Sequence, residues 1–221
     1  MFEKLKYTAC AEFDLAADGP VLVSEGVSNK PDPTRPDNTF MTGFLGSEHD
    51  KTAYVIPGST IKGVLRHHMF DMMSDDKVET IFGKIGRENQ KGKIKFNDAY
   101  ALMDTVVTSV RHSTAIDPCT QSAKSGSLNN MEVVEKGIFK AGFIFSNYTN
   151  FEMERLLLAL YDINAGEVRF GGKISRGFGK MNIENFYMKV NSGYDSDLKP
   201  INEMVFNSLE TAEEYFGKAE Q

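Results

Sequence analysis

The order of hydrophobic periods along the chain constrains its fold more tightly than any single motif. Residues 3–15 alternate, with Leu5, Tyr7, Ala9, Ala11, Phe13 and Leu15 on one face and Lys4, Lys6, Thr8, Glu12 and Asp14 on the other. A period of two reads as a half-buried strand. "AYVIPGSTIKGVLRHHMFDMM", residues 53–73, reads as strand, turn and helix. Ile61, Leu65, Met69 and Met72 share a helical face, and Ser59 or Thr60 is expected as the cap. Gly63 inside that helix costs about 1 kcal/mol relative to Ala, so close packing or binding against its backbone is expected. Residues 93–103 alternate again, and residues 138–147 place Phe139, Ala141, Phe143 and Phe145 on one face. Thr149 with Glu152 three residues on is a capping-box signature that opens a second helix. Residues 167–170 and 180–190 read as strands.

The resulting order, strand–helix–strand–strand–helix–strand, is the ferredoxin-like pattern of an α+β protein, the βαββαβ arrangement shared with RRM-type modules. Two insertions interrupt it. One spans about residues 17–57, after the first strand, and contains the irregular stretch "KPDPTRP". The other spans about residues 104–136, between the middle strands, with short strands "TVVTSV" and "MEVVE" around a polar loop. An acidic extension covers about residues 191–221, with a helix expected from about residue 203 to 216. No internal repeat or linker divides the 221 residues, so a single domain is expected. No apolar run approaches the ~18 residues of a membrane helix. The two cysteines, Cys10 and Cys119, are too few for a disulfide scaffold or zinc site and suggest a cytoplasmic protein.

The net charge of −6 conceals segregated charge. Residues 195–221 carry seven acids against Lys199 and Lys218. Cations gather in residues 58–68 (Lys62, Arg66, His67, His68), in residues 84–95 and in the segment "FGGKISRGFGK", residues 170–180. That last segment holds four glycines and no acid. Clustered cations can bind a polyanion whatever the total charge, and glycine lets backbone N–H groups approach phosphate. The segment does not fit G-x-G-x-x-G, and it precedes a strand rather than opening a helix. "GRENQKGKI", residues 86–94, misses the P-loop by one extra residue and by Ile94 where Ser or Thr should stand. Neither phosphate loop is present, so a mononucleotide hydrolase or kinase is not expected. "KGIFKAGF", residues 136–143, lacks the aromatics of a standard RNA-recognition strand.

Three segments in order, "YVIPGSTIKGVLR" (54–66), "RHSTAIDPCTQSAKSG" (111–126) and "GGKISRGFGKM" (171–181), resemble signature blocks of the RAMP superfamily. They resemble in particular the backbone subunit of type III CRISPR effector complexes. "FG" at Phe82-Gly83, followed after a gap by "GKIKFNDAY", is similar too. The resemblance implies a guide-RNA (crRNA) binding subunit in antiviral defence. It would form filaments with copies of itself beside other effector subunits, and pair its guide with complementary target RNA. The insertion at 104–136 would be a thumb that displaces base pairs. Lys62, Arg66, Arg111, Gly171, Gly172, Lys173, Ser175, Arg176, Gly177 and Lys180 are the expected RNA contacts, by cations and loop amides rather than base readout.

Active relatives cleave target RNA with an aspartate in the loop after the first strand, and Asp37 in "TRPDNTFM" matches that position. The chemistry implied is attack of the 2′-hydroxyl on the adjacent phosphate. The carboxylate would serve as base or, with Mg²⁺ or a similar divalent ion, as metal ligand. Asp32, Glu48 and Asp50 share the insertion. Two alternatives stand beside this: a non-catalytic RNA-binding subunit, and a guide-precursor endoribonuclease using His67, His68 or His112.

Overall fold

The computed structural model describes residues 5–26, 36–45, 51–84, 86, 89–195, 197 and 199–218. The first strand, β1 (Tyr7–Ala17), is followed by β2 (Thr42–Phe44) and β3 (Thr52–Ile56), then by helices α1 (Gly58–Met72) and α2 (Asp75–Phe82). A short hairpin, β4 (Gly83–Lys84) with β5 (Gln90–Lys91), leads to β6 (Ile94–Phe96) and β7 (Ala99–Ala101). The ribbon β8 (Val107–Ser113) and β9 (Asn129–Lys136) precedes β10 (Ile138–Ser146) and α3 (Asn150–Ala165). The chain closes with β11 (Met181–Tyr194), β12 (Pro200–Phe206) and α4 (Leu209–Lys218).

One sheet runs β12-β11-β1-β10-β7-β3-β2, with β6 also on β10. β1 lies between β11 and β10, antiparallel to both, and β6 and β7 are antiparallel to β10. That neighbour order is compatible with a ferredoxin-like core. The alternation in β1 is as read: Ala9, Ala11, Phe13 and Leu15 are buried beneath the helices. Phe139, Phe143 and Phe145 of β10 are at most 1% exposed. Each such side chain contributes about 1.5–3 kcal/mol of burial. Ile61, Leu65 and Met69 of α1 and Leu156, Leu157 and Leu160 of α3 complete the same core. Among the described residues no helix is long and apolar enough to cross a membrane.

Several local expectations are corrected. α1 starts at Gly58, so Ser59 and Thr60 lie inside its first turn and no side chain caps from its own end. Asp98 instead accepts the Gly58 N–H at 2.8 Å. Nothing lies within 4 Å of a Cβ on Gly63, so the fold packs nothing against it. Residues 93–103 form two strands because the chain breaks at Asn97 and Asp98. Residues 167–170 form no strand; only Gly171 makes an isolated bridge, to Leu22. In the tail, β12 takes up residues 203–206 of the expected helix, and α4 begins only at Leu209. Pairing from Met188↔Phe206 to Tyr194↔Pro200 along the long β11 outweighs local helical preference. The capping box at Thr149 and Glu152 is present in full.

Candidate nucleic-acid interface

From α3 the chain passes through buried Val168 and Phe170 into the glycine-rich loop. Gly171, at φ 84°, bridges to Leu22, and the Gly172 N–H donates to the Leu22 carbonyl at 2.8 Å. A Cβ on Gly171 would stand far inside contact distance of that carbonyl. At the other end Gly179, φ 85°, donates to the Pro20 carbonyl at 2.8 Å, and Phe170 donates to the Gly179 carbonyl at 2.9 Å. The loop is thus pinned to residues 20–22, and only hydrogen at Cα fits at Gly171, against Leu22, and at Gly179, against Phe170. Between the pins Ile174–Arg176 form a single 3-10 turn. Its crown carries Lys173, Ser175 and Arg176, with Ser175, Arg176 and Gly177 exposed.

The cations here are not equivalent. Lys180 reaches Asp18 at 2.6 Å, and that hydrogen bond holds the Asp18 carboxyl below its usual range. Arg111 lies 2.7 Å from Glu135. Burial pushes the Glu135 carboxyl up, but hydrogen bonds from Ser109 and Arg111 outweigh it and the net shift is downward. Lys62, Lys173 and Arg176 make no ion pair among the described residues. Arg66, on α1, places its guanidinium 5.7 Å from the Phe70 ring centre, and its Nε is buried without a partner. α1 is tied to the end of α3 that feeds the loop: His68 meets Asp162 at 2.6 Å, and the Asp162 carbonyl accepts the Glu167 and Val168 N–H groups. His67 is exposed.

The outer face of the sheet has a different character. Asp14 is 3% exposed and is bonded by Lys140 at 2.6 Å and Asn185 at 2.8 Å. Lys189 is bonded to Glu203 at 2.6 Å, and Glu12 and Glu184 stand on the same strands. Its lysines are neutralised at the centre of the sheet. A polyanion is better served by the loop crown than by this face.

Asp37 is exposed, and its segment is fastened to the far end of the β8–β9 ribbon, next to the loop at its tip. Asn130 donates its backbone N–H to the Asp37 carboxylate at 2.8 Å. Asn38 donates its N–H to the Asn130 carbonyl at 3.1 Å and accepts from the Glu132 N–H at 2.8 Å. The Asn38 side-chain amide donates to Asn129 at 3.1 Å. The Glu132 carboxylate accepts from the Phe40 N–H at 3.1 Å and from the Tyr54 hydroxyl at 2.9 Å. Burial, and then Glu132, push the Tyr54 phenol up. The same β9 strand supplies Met131 and Val133, which pack with Leu22 and Phe178. Asp37, the ribbon and the glycine loop are therefore one contiguous structure, joined through residues 20–22 and 129–133.

Asn38, Asn129, Asn130 and Glu132 escaped the sequence reading. Asn129, Asn130 and Glu132 meet the 37–40 segment from more than 90 positions away, and no local pattern announces that pairing. His112 stands opposite Asn130 in the ribbon, its Nδ1 2.7 Å from the Asn130 side-chain oxygen. Asp32, Glu48 and Asp50 lie outside the described residues. Among the described residues no three His, Cys, Asp or Glu side chains group to hold a metal ion, and Asp37 alone makes no cage for a resident Mg²⁺.

Residues 44–182 match the family described as the RAMP superfamily. No curated protein matches the chain.

Proposed function

The chain belongs to the RAMP superfamily, whose members are CRISPR-associated RNA-binding proteins, and from that premise we propose that it is a crRNA-binding backbone subunit of a type III effector complex that also cuts target RNA. Copies of the chain line the guide, together with other effector subunits. The observation that carries this reading is the fastening of Asp37 to the ribbon whose next residues seat the glycine loop. RNA tracked by Lys173, Arg176 and the loop crown is held against the element that fixes the carboxylate. Lys62 and Arg66 extend the same backbone contacts, and Arg111 and Lys180 join them by exchanging their carboxylate partners for phosphate.

Geometry and charge support the cutting step of this reading. The ribbon of residues 107–136 acts as the thumb, splaying the target so that the 2′-hydroxyl lines up with the adjacent phosphate. Asp37 takes the 2′-hydroxyl proton. Asp37, together with the phosphate oxygens of bound RNA, would hold a divalent ion, which would offset the phosphate charge.

A target RNA with one 2′-deoxynucleotide at the scissile position tests the reading. The assembled complex should leave that position uncut and cut its neighbours. Unchanged cutting there would refute 2′-hydroxyl attack. A complex that retains guide RNA yet never cuts, with or without divalent ions, would instead mark the chain as a purely structural subunit.

A further inference from the structure

We propose that His112 is the proton donor to the leaving 5′-oxygen when target RNA is cut at Asp37, an inference that rests on the reading of Asp37 above. His112 is exposed on β8 and pairs directly with Asn130 on β9. Its Nδ1 lies 2.7 Å from the Asn130 Oδ1. An amide oxygen only accepts, so Nδ1 carries the proton of that bond, and Nε2 is left without a partner in the described fold. The backbone N–H of the same Asn130 is given to the Asp37 Oδ2 at 2.8 Å. One residue therefore holds a carboxylate with its main chain and an imidazole with its side chain. The other described histidines have no such link: His68 is engaged by Asp162, and His67 lies beside it on α1.

Cleavage through the 2′-hydroxyl needs two proton transfers, and this pair supplies both. The 2′-hydroxyl proton passes to Asp37 as the O2′–P bond forms. The P–O5′ bond breaks, and O5′ takes the proton from Nε2 of the imidazolium. The products are a 2′,3′-cyclic phosphate and a 5′-hydroxyl. No water, oxidant or other reactant is consumed, and exchange with solvent restores both side chains. Asn130 is a positioning residue in this scheme, since it touches both groups and no reacting atom.

The test uses the assembled complex with guide RNA and two complementary targets. One is ordinary RNA; the other has sulfur in place of the bridging 5′-oxygen at the cut site. A thiolate leaves without protonation, so loss of a general acid is felt only with oxygen. His112→Ala should slow the oxygen substrate on the order of 10²-fold or more and cut the sulfur substrate at nearly the wild-type rate. Asn130→Ala should give a smaller loss with the same sulfur rescue. An unchanged oxygen rate in His112→Ala, or an equal loss on both substrates, would overturn the assignment. Asp37→Ala separates this result from the reading beneath it. That variant should be inert on both substrates; normal cutting by it would remove the Asp37 reading and this inference together.

Discussion

Asn130 gives its backbone N–H to the Asp37 carboxylate at 2.8 Å. The bond fixes an exposed aspartate of an irregular insertion to the far end of a ribbon that starts seventy positions later. It also turns Asp37 from an ordinary turn residue into part of a clamp with Asn38, Asn129 and Glu132.

The clamp has a measurable strength. Glu132 accepts from Phe40 and Tyr54, and truncation leaves both donors without their charged partner. Glu132→Ala should destabilise the protein by about 1–3 kcal/mol in urea unfolding. Cutting should fall further than guide binding, because the segment that slackens carries Asp37. Wild-type cutting by this variant would show that the clamp does not position the carboxylate.

Two glycines of one loop should respond differently to alanine. At Gly171 a Cβ meets the Leu22 carbonyl, and the residue sits at φ 84°. At Gly177, φ 87°, nothing lies within 4 Å. Gly177→Ala should cost only the left-handed backbone strain, about 1–2 kcal/mol. Gly171→Ala should cost more and weaken RNA binding, because the loop must leave residues 20–22. Equal thermal shifts for the two variants would contradict this.

The charge survey makes a prediction about salt. Among the described residues Lys173 and Arg176 pair with no carboxylate, whereas Lys189 is committed to Glu203. Removing either loop cation should reduce the slope of log K against log salt by about 0.7 per lost phosphate contact on single-stranded RNA. Lys189→Ala should leave the slope unchanged. An equal change in all three variants would place the RNA on the sheet face instead.

The two cysteines offer internal probes. Burial pushes the Cys10 thiol up, partly offset by Lys189, so its thiolate forms at higher pH than usual. Cys119 is exposed in the loop at the tip of the ribbon. Alkylation followed by mass measurement should modify Cys119 first, with Cys10 requiring higher pH. Added guide and target should protect Cys119 if the ribbon reaches the duplex; unaltered reactivity would argue against that contact.

Legibility in the sequence followed the range of the interactions. β1, β10, α1 and α3 announced themselves because alternation, helical spacing and the Thr149–Glu152 box are local. The glycine loop was visible as composition, but its pinning to Pro20 and Leu22 was not. That contact depends on a backbone approach from the other end of the chain. The α1 cap was misread for the same reason: Asp98 arrives from forty positions away. The end of β12, from Glu203, was taken for the start of a helix because its residues suit either period, and only the edge of β11 decides. Asp37 and His112 were recognised as separate candidates for separate enzymes. Asn130, which joins them, carried no signal.

The most direct test of the account is a comparison of wild type and Asp37→Ala in the assembled complex, scoring bound guide RNA and cutting of labelled complementary RNA in the same preparation. The account predicts full guide occupancy in both and cutting in the wild type alone. Cutting at the wild-type rate by Asp37→Ala would contradict it.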